Sequence, residues 1–424
     1  MNHDVYVFED ISFEQLLPLV WTRPVYDLRC GILSIREKLQ VLFPESTMVL
    51  HVRSYLAPVM RERYPEVLVN TFPGIFRPGL FINGRLLPGD TVMSMIRRLM
   101  REGEFILQCR NEVVAAYLYA HRVREVPVEE GAPLQASDFP DDVLILSMDV
   151  PTMFQYPWDL VCRNPEQLME DVNLVGATLH PISEKVLPEG VFVLNASHVY
   201  LGPDVRIYPG VVLDAEDGPI VVEDGVTIMP GAYVQGPVAI RYGSLVKPHT
   251  KIYEGSLIGP VTKVGGEVEA TTIQGYSNKQ HEGFLGHAYI GEWVNLGAGT
   301  HNSDLKNNYS NVKVPLNGQL VDTGLTFWGL IAGDHTKTAI GTLLNTGTVL
   351  GVSCNIFGAG FPPRYVPSFS WGGAQGLVTY ELARALEVAS RVMARRNRVL
   401  TEREAELLRY VYAATEKERL GEAL

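Results

Sequence analysis

Cysteine is scarce in this sequence of 424 residues, and its four thiols, Cys30, Cys109, Cys162 and Cys354, form no CxxC pair. Such wide spacing argues against a zinc ribbon and against a disulfide scaffold, and it makes the cytoplasm the expected compartment. No run of about 18 apolar residues is present to cross a bilayer, so no membrane partner is expected. The opening MNHDVYVFED has neither the basic n-region nor the apolar h-region of a secretory leader. Basic charge is in deficit, with 36 Lys and Arg against 48 Asp and Glu, and the net charge of −12 argues against a nucleic-acid partner. A phosphorylated small molecule is not excluded, because it needs only a local cluster of cations.

What is abundant is glycine and proline, 39 and 27 residues, and a repeat accounts for much of that excess. From Val199 to Gly360 an aliphatic residue recurs at every sixth position. Leu201, Ile207 and Leu213 form one run, Val222, Ile228 and Val234 a second, and Ile240, Val246, Ile252, Ile258 and Val264 a third. A six-residue period with Gly and Pro at its corners predicts a three-sided parallel β-helix of about 18 residues per coil. The period lapses at Gly265–Gly283 and Thr300–Gly329, which read as insertions on one face of the solenoid, where binding residues often sit.

Ahead of the repeat, strand-length apolar runs (Val5–Phe8, Met48–Val52, Leu80–Asn83, Phe105–Cys109, Val143–Met148) alternate with stretches read as helices at Ile11–Val20, Thr91–Glu102 and Asn111–Arg122. That alternation predicts an α/β layer with a mostly parallel sheet. After Phe361 a Pro/Gly/aromatic exit loop leads to helices expected over Gly376–Arg398 and from Thr401, where Glu404 completes a capping-box pattern. Three regions follow, at 1–175, 176–360 and 361–424. The cluster Arg391, Arg395, Arg396 and Arg398 reads as the basic end of a solvated helix, with a phosphate site as the alternative.

The segments NKQHEGFLG, VNLGAGT, NSDLKNNYSNVKV and NIFGAGFPPRYVPSFSWGG resemble the bifunctional N-acetylglucosamine-1-phosphate uridyltransferase / glucosamine-1-phosphate acetyltransferase family, in a divergent bacterial sugar nucleotidyltransferase branch. The resemblance implies an α/β nucleotidyltransferase-like domain, then a left-handed parallel β-helix built from hexapeptide repeats, then short C-terminal helices. It also implies a homotrimer that binds acetyl-CoA in a groove between subunits. The family's general base falls on His281, its substrate-contacting Asn on Asn295, and its backbone contact to the acetyl donor on Ala298, flanked by Gly297 and Gly299. Lys247 falls where an Arg binds the sugar phosphate, and Glu267 where a Glu supports the site. Phe284 stands in place of a substrate Tyr and Glu269 near an expected Lys, with Lys279 a possible source of the lost charge. Arg364, in the exit loop, is a candidate for the CoA phosphates. Independently of the resemblance, an imidazole near neutral pH suits an amine that must lose a proton as it attacks a thioester.

In the front region LPLVWTRPVYDLRCGILSIREKL resembles the segment after the glycine-rich loop of sugar-nucleotide pyrophosphorylases. The glycine loop itself is replaced by FEDISFEQL, so Arg23 and Arg29 are expected to hold the phosphates of UTP. Asp149, closing LILSMDVP, is the expected Mg²⁺ ligand. The resemblance thus implies acetyl transfer to glucosamine 1-phosphate coupled to uridylyl transfer, giving UDP-N-acetylglucosamine. A different sugar nucleotide, or a non-catalytic β-helix protein, are the alternatives.

Overall fold

A computed structural model describes residues 3–75, 77–148, 153–176, 179–182 and 187–421. The chain divides into two compact units: residues 1–16, 22–28 and 33–156 form the first, and 17–21, 29–32 and 157–424 the second.

The first unit carries a seven-stranded sheet. Its strands are β1 (Asp4–Phe8), β2 (Met48–Leu50), β3 (Leu68–Val69), β4 (Gly79–Asn83), β5 (Phe105–Cys109), β6 (Glu112–Leu118) and β7 (Ile145–Ser147), in the order β3-β2-β1-β4-β6-β5-β7. All pairs are parallel except those β6 makes with β4 and β5. The fully buried runs DVYVF and GLFIN form the centre, as strands covered on both faces must.

Two expected helices are absent. Asn111–Arg122 contains the strand β6, because Arg110 and Asn111 both take positive φ (49° and 68°) in a tight turn that folds β-branched Val113 and Val114 back onto β5. Ile11–Val20 forms only a 3₁₀ segment, Ile11–Leu16, because Pro18 cannot donate to a continuing helix. The stretch Asp90–Glu102 is helical, as its pattern predicts.

The second unit is a left-handed parallel β-helix. Its first face stacks Arg206–Ile207, Thr227–Ile228, Leu245–Val246, Lys263–Val264, Asn278–Lys279, Asn295–Leu296, Lys337–Thr338 and Asn355–Ile356. The second face runs from Phe192–Leu194 through Lys251–Ile252 and Glu267–Glu269 to Phe284–Gly286, and the third from Val199–Leu201 through Ser256–Ile258 to Tyr365–Val366. Inward aliphatics make one continuous buried core. Each such side chain contributes roughly 1.5–3 kcal/mol.

The first supposed insertion is no insertion. Coils of eighteen residues, such as Val246 to Val264, give way to tighter ones in which Ile252 pairs with Val268, and Ile258 with Ile273, fifteen or sixteen residues on. The period slips while the coil continues. The second interruption does leave the coil, as an antiparallel hairpin of Lys313–Leu316 and Gln319–Asp322.

The helix Pro157–Val175, read from sequence as the end of the front region, groups with the second unit, where it packs on third-face strands. It also holds the segment 29–32: Asn164 Oδ1 accepts from Gly31 N (2.6 Å) and Asp171 Oδ2 from Ile32 N (2.7 Å). Gly31 has φ of +87°, and a Cβ there would lie 2.4 Å from Asp171 Oδ2. The coil continues past Gly360 to the strand Ser370–Gly373, against which Gly376–Thr379 folds back antiparallel. The first tail helix therefore begins at Leu382 and runs to Ala394, later than expected, while the second, Glu402–Ala414, has the predicted Thr401/Glu404 capping box.

Candidate functional site

Where the chain turns from the first face to the second, its corners stack into one prism edge. Lys247 N donates to Val264 O (2.9 Å), Gly265 N to Lys279 O (2.6 Å), Gly299 N to Glu282 O (2.9 Å) and Gly341 N to Ala298 O (2.7 Å). This ladder sets Lys247 two coils before His281, and the corner Gly297–Ala298–Gly299 one coil after it. At the usual strand spacing these steps are roughly 10 Å and 5 Å.

His281 is an exposed corner residue whose imidazole makes no hydrogen bond among the described residues. It belongs to the coil itself and not to a loop laid over it. Gly297 has no space for a side chain, since a Cβ would lie 2.6 Å from the Ala339 carbonyl. The Ala298 amide has no acceptor among the described residues. On the adjoining second face, Glu267 precedes Phe284 by one coil and lies 3.4 Å from Lys251 Nζ. On the adjoining first face, Asn295 is half-buried beside Asn278. The structure thus gathers Lys247, Glu267, His281, Asn295 and Gly297–Gly299 at one edge.

Other expected residues do not join them. Lys279 takes the inward position of its strand, continuing the row Ile228, Val246, Val264, and is 3% exposed. Its ammonium donates to Gly265 O (2.9 Å) and His281 O (3.1 Å), and burial, opposed by Glu282 and Glu267, lowers its pKa to about 8. It shapes the corner that presents His281 and leaves the set of substrate contacts. Arg364 leads into the third face, with its guanidinium on Lys313 O (3.2 Å), away from the His281 edge.

Two groupings were not legible in the sequence. His287 Nδ1 lies 2.8 Å from Asp304 Oδ2, and Phe327 stacks on the ring at 5.2 Å, at the edge between the second and third faces. Asp304 and Phe327 both come from the stretch where the repeat lapses, so no period signals the pair. Burial pushes the neighbouring Glu269 carboxyl up, against the pull of His287. Lys263, the second grouping, lies with Lys247 among the arginines that follow the first tail helix.

In the first unit, the acidic end of β1 is closed by arginines. Glu9 accepts from Arg53 Nε and Nη2 (both 3.1 Å) and from Val25 N (2.9 Å). Asp10 accepts from Arg85 Nε (2.9 Å) and Nη2 (2.6 Å), and Glu112 lies 2.9 Å from the same Nη2. Asp10 and Glu112 line a cleft of about 260 Å³ with Asn111 and Gln135. Arg23 is 1% exposed, its carbonyl taken by Arg53, so its guanidinium is not presented to a phosphate in solvent. Arg29 belongs to the second unit, where its backbone N donates to Tyr289 OH (2.8 Å) and its Nε to Gln274 O (3.3 Å).

Asp149 lies outside the described residues. Glu9 is engaged by Arg53, and Asp10 and Glu112 share Arg85, so these carboxylates are already committed to guanidinium groups and do not fit as Mg²⁺ ligands. No helix among the described residues is long and apolar enough to cross a membrane.

Residues 5–178 match the family described as sugar nucleotidyl transferase. A bifunctional sugar-1-phosphate nucleotidylyltransferase/acetyltransferase from Sulfurisphaera tokodaii is 30% identical over 142 residues, and the match spans 33% of this chain and about a third (35%) of that relative. Among solved structures, a UDP-N-acetylglucosamine acyltransferase from Campylobacter jejuni aligns at 10% identity and TM-score 0.27, over 53% of this chain and 95% of that one. Its counterpart from Francisella novicida aligns at 12% identity and TM-score 0.23, over 56% and 89%. Scores this low say nothing about chemistry.

Proposed function

We propose that this chain, whose residues 5–178 match the sugar nucleotidyl transferase family, transfers acetyl from acetyl-CoA to the amine of a hexosamine 1-phosphate, with glucosamine 1-phosphate as the expected acceptor. The observation that carries this reading is the single edge on which Lys247, His281 and the Gly297–Gly299 corner stand in nearby coils. The bifunctional relative, with its acetyltransferase activity, supports the same class of reaction.

In this reaction the amine nitrogen attacks the thioester carbonyl as His281 takes a proton from it. A C–N bond forms, the C–S bond breaks, and the imidazolium returns its proton to the departing thiolate. Lys247 faces the acceptor phosphate, while Asn295 and Glu267 orient the sugar. The Ala298 amide donates to the thioester oxygen, where negative charge grows. The groove is completed by a neighbouring copy in a homotrimer. Thiol release from acetyl-CoA with glucosamine 1-phosphate tests the reading, and turnover by His281→Ala equal to that of the parent chain would remove it.

For the front domain the same reading assigns uridylyl transfer from UTP to the acetylated product, with pyrophosphate leaving. The burial of Arg23 and the arginine-bound Glu9, Asp10 and Glu112 favour a second reading, a front domain that keeps the architecture without the transfer. Pyrophosphate release from UTP and N-acetylglucosamine 1-phosphate decides between them: release by the parent chain supports catalysis, and its absence supports the second reading.

A further inference from the structure

Four cations of this acidic molecule gather on the first face of the prism. The outward positions of that face run Leu245, Lys263, Asn278, Asn295. Lys247 follows the strand Leu245–Val246 directly, at the corner that opens the His281 edge. The tail helix Leu382–Ala394 ends in Arg395 and Arg396, and Arg396 Nη2 donates to Asn278 Oδ1 at 2.7 Å. Arg398 lies over the Tyr276 ring at 6.0 Å, a second tie between tail and coil.

A helix C-terminus attracts arginine through its dipole, which accounts for Arg395 and Arg396 but not for Lys247 and Lys263. Among the described residues none of the four forms an ion pair, although the chain has 48 acids for 36 bases. Arg396 Nε is buried with no acceptor. Lys263 is driven toward its neutral form by burial and then by Arg396, Arg395 and Lys247, and burial and Arg395 act on Arg396 in the same direction. The arrangement is repulsive by itself, lacks negative charge, and leaves Arg396 Nε without an acceptor. A phosphate group supplies both, through charge-assisted hydrogen bonds to guanidinium and ammonium.

We infer that Lys247, Lys263, Arg395 and Arg396 form one binding site for a phosphate ester, assembled from the first face of the prism and the end of the tail helix, with Asn278 positioning Arg396. The site opens beside the edge that carries His281, so the ester is the phosphate of the sugar acceptor or a phosphate of coenzyme A. Only that choice of ligands rests on the acetyl-transfer reading; the charge arrangement does not.

The test is calorimetric titration of the full chain with glucosamine 1-phosphate, glucosamine, coenzyme A and inorganic phosphate. Lys263→Gln and Arg396→Gln are each expected to weaken one phosphorylated ligand about tenfold or more, the effect of losing a hydrogen bond to a charged group, and to leave glucosamine unchanged. Arg395→Glu, at an exposed position, keeps the test open if either of the others fails to fold, and it is expected to weaken the same ligand. Loss confined to glucosamine 1-phosphate assigns the acceptor, loss confined to coenzyme A assigns the donor, loss on both supports the site, and loss on inorganic phosphate alone overturns it as a site for a phosphate ester. Folded variants that bind every phosphorylated ligand as tightly as the parent overturn it. If the parent binds these ligands through the four residues yet releases no thiol, acetyl transfer fails and the site stands. If His281→Ala abolishes turnover while the cation variants bind normally, the site fails and acetyl transfer stands.

Discussion

Lys279 and His281 sit two residues apart and have opposite fates. The lysine ends a strand and points inward, whereas the histidine lies at the following corner in solvent. Sequence alone treats both as polar residues in a gap of the repeat, and only the coil path separates them. Removing the His281 imidazole is therefore expected to lower kcat by about 10²–10⁴, the usual worth of a general base, with little change in thermal midpoint because the side chain is exposed. Stopped-time thiol assays beside a melting curve check both parts. Glu9→Ala should behave in the opposite way. It strands Arg53, whose side chain is 4% exposed, without its carboxylate, and losing one partner of a buried pair costs about 3–5 kcal/mol. Urea unfolding measures this directly. Nothing in the sequence signals this role for Glu9, since its partner lies 44 residues on.

At the scale of the element, the β-helix was readable because an inward aliphatic every sixth residue is a strong periodic signal. The slip after Val264 was not readable, because tighter corners abolish the period without ending the coil. Gly266, with φ of +74°, shows how such a corner is made: a Cβ there would meet Gly283 O at 2.8 Å and Lys279 Nζ at 2.9 Å. An ammonium replaces an aliphatic at this point, and its pKa makes the replacement measurable. Between the folded value of about 8 and the model-peptide value of 10.5, the unfolded chain holds more protons, so this lysine makes stability rise with pH across that window. Below it, the burial penalty is fully present. Lys279→Met lacks the dependence, so its stability relative to the parent should fall by on the order of 3 kcal/mol from pH 8 to pH 10.5. Parallel urea titrations at several pH values would reveal a constant difference if the ammonium were solvated instead.

At the scale of the whole molecule, the order of an α/β domain before a solenoid followed from strand–helix alternation and then hexad spacing. The helix Pro157–Val175 escaped that reading because its polar and apolar residues fit either unit, and only the contacts of Asn164 and Asp171 decide. Beside the Ala298 corner, Ile340 is 80% exposed, and further along the coil Phe357 and Phe361 are 40% and 54% exposed. Apolar side chains bared on this scale suit a surface covered by another copy. Sedimentation equilibrium is expected to give the mass of three chains, and Ile340→Glu to shift the distribution toward one. The segment 29–32 adds a demand on biosynthesis. Arg29 N finds its acceptor on Tyr289, 260 residues further along. At ribosomal speeds of about 5–20 residues per second, this short strap waits roughly 13–50 s for its docking surface to be translated. Gly31 and Ile32 find theirs sooner, on Asn164 and Asp171, so a nascent chain stalled before Asn164 should remain open to protease at 29–32, and one stalled between Asp171 and Tyr289 should be protected there only in part.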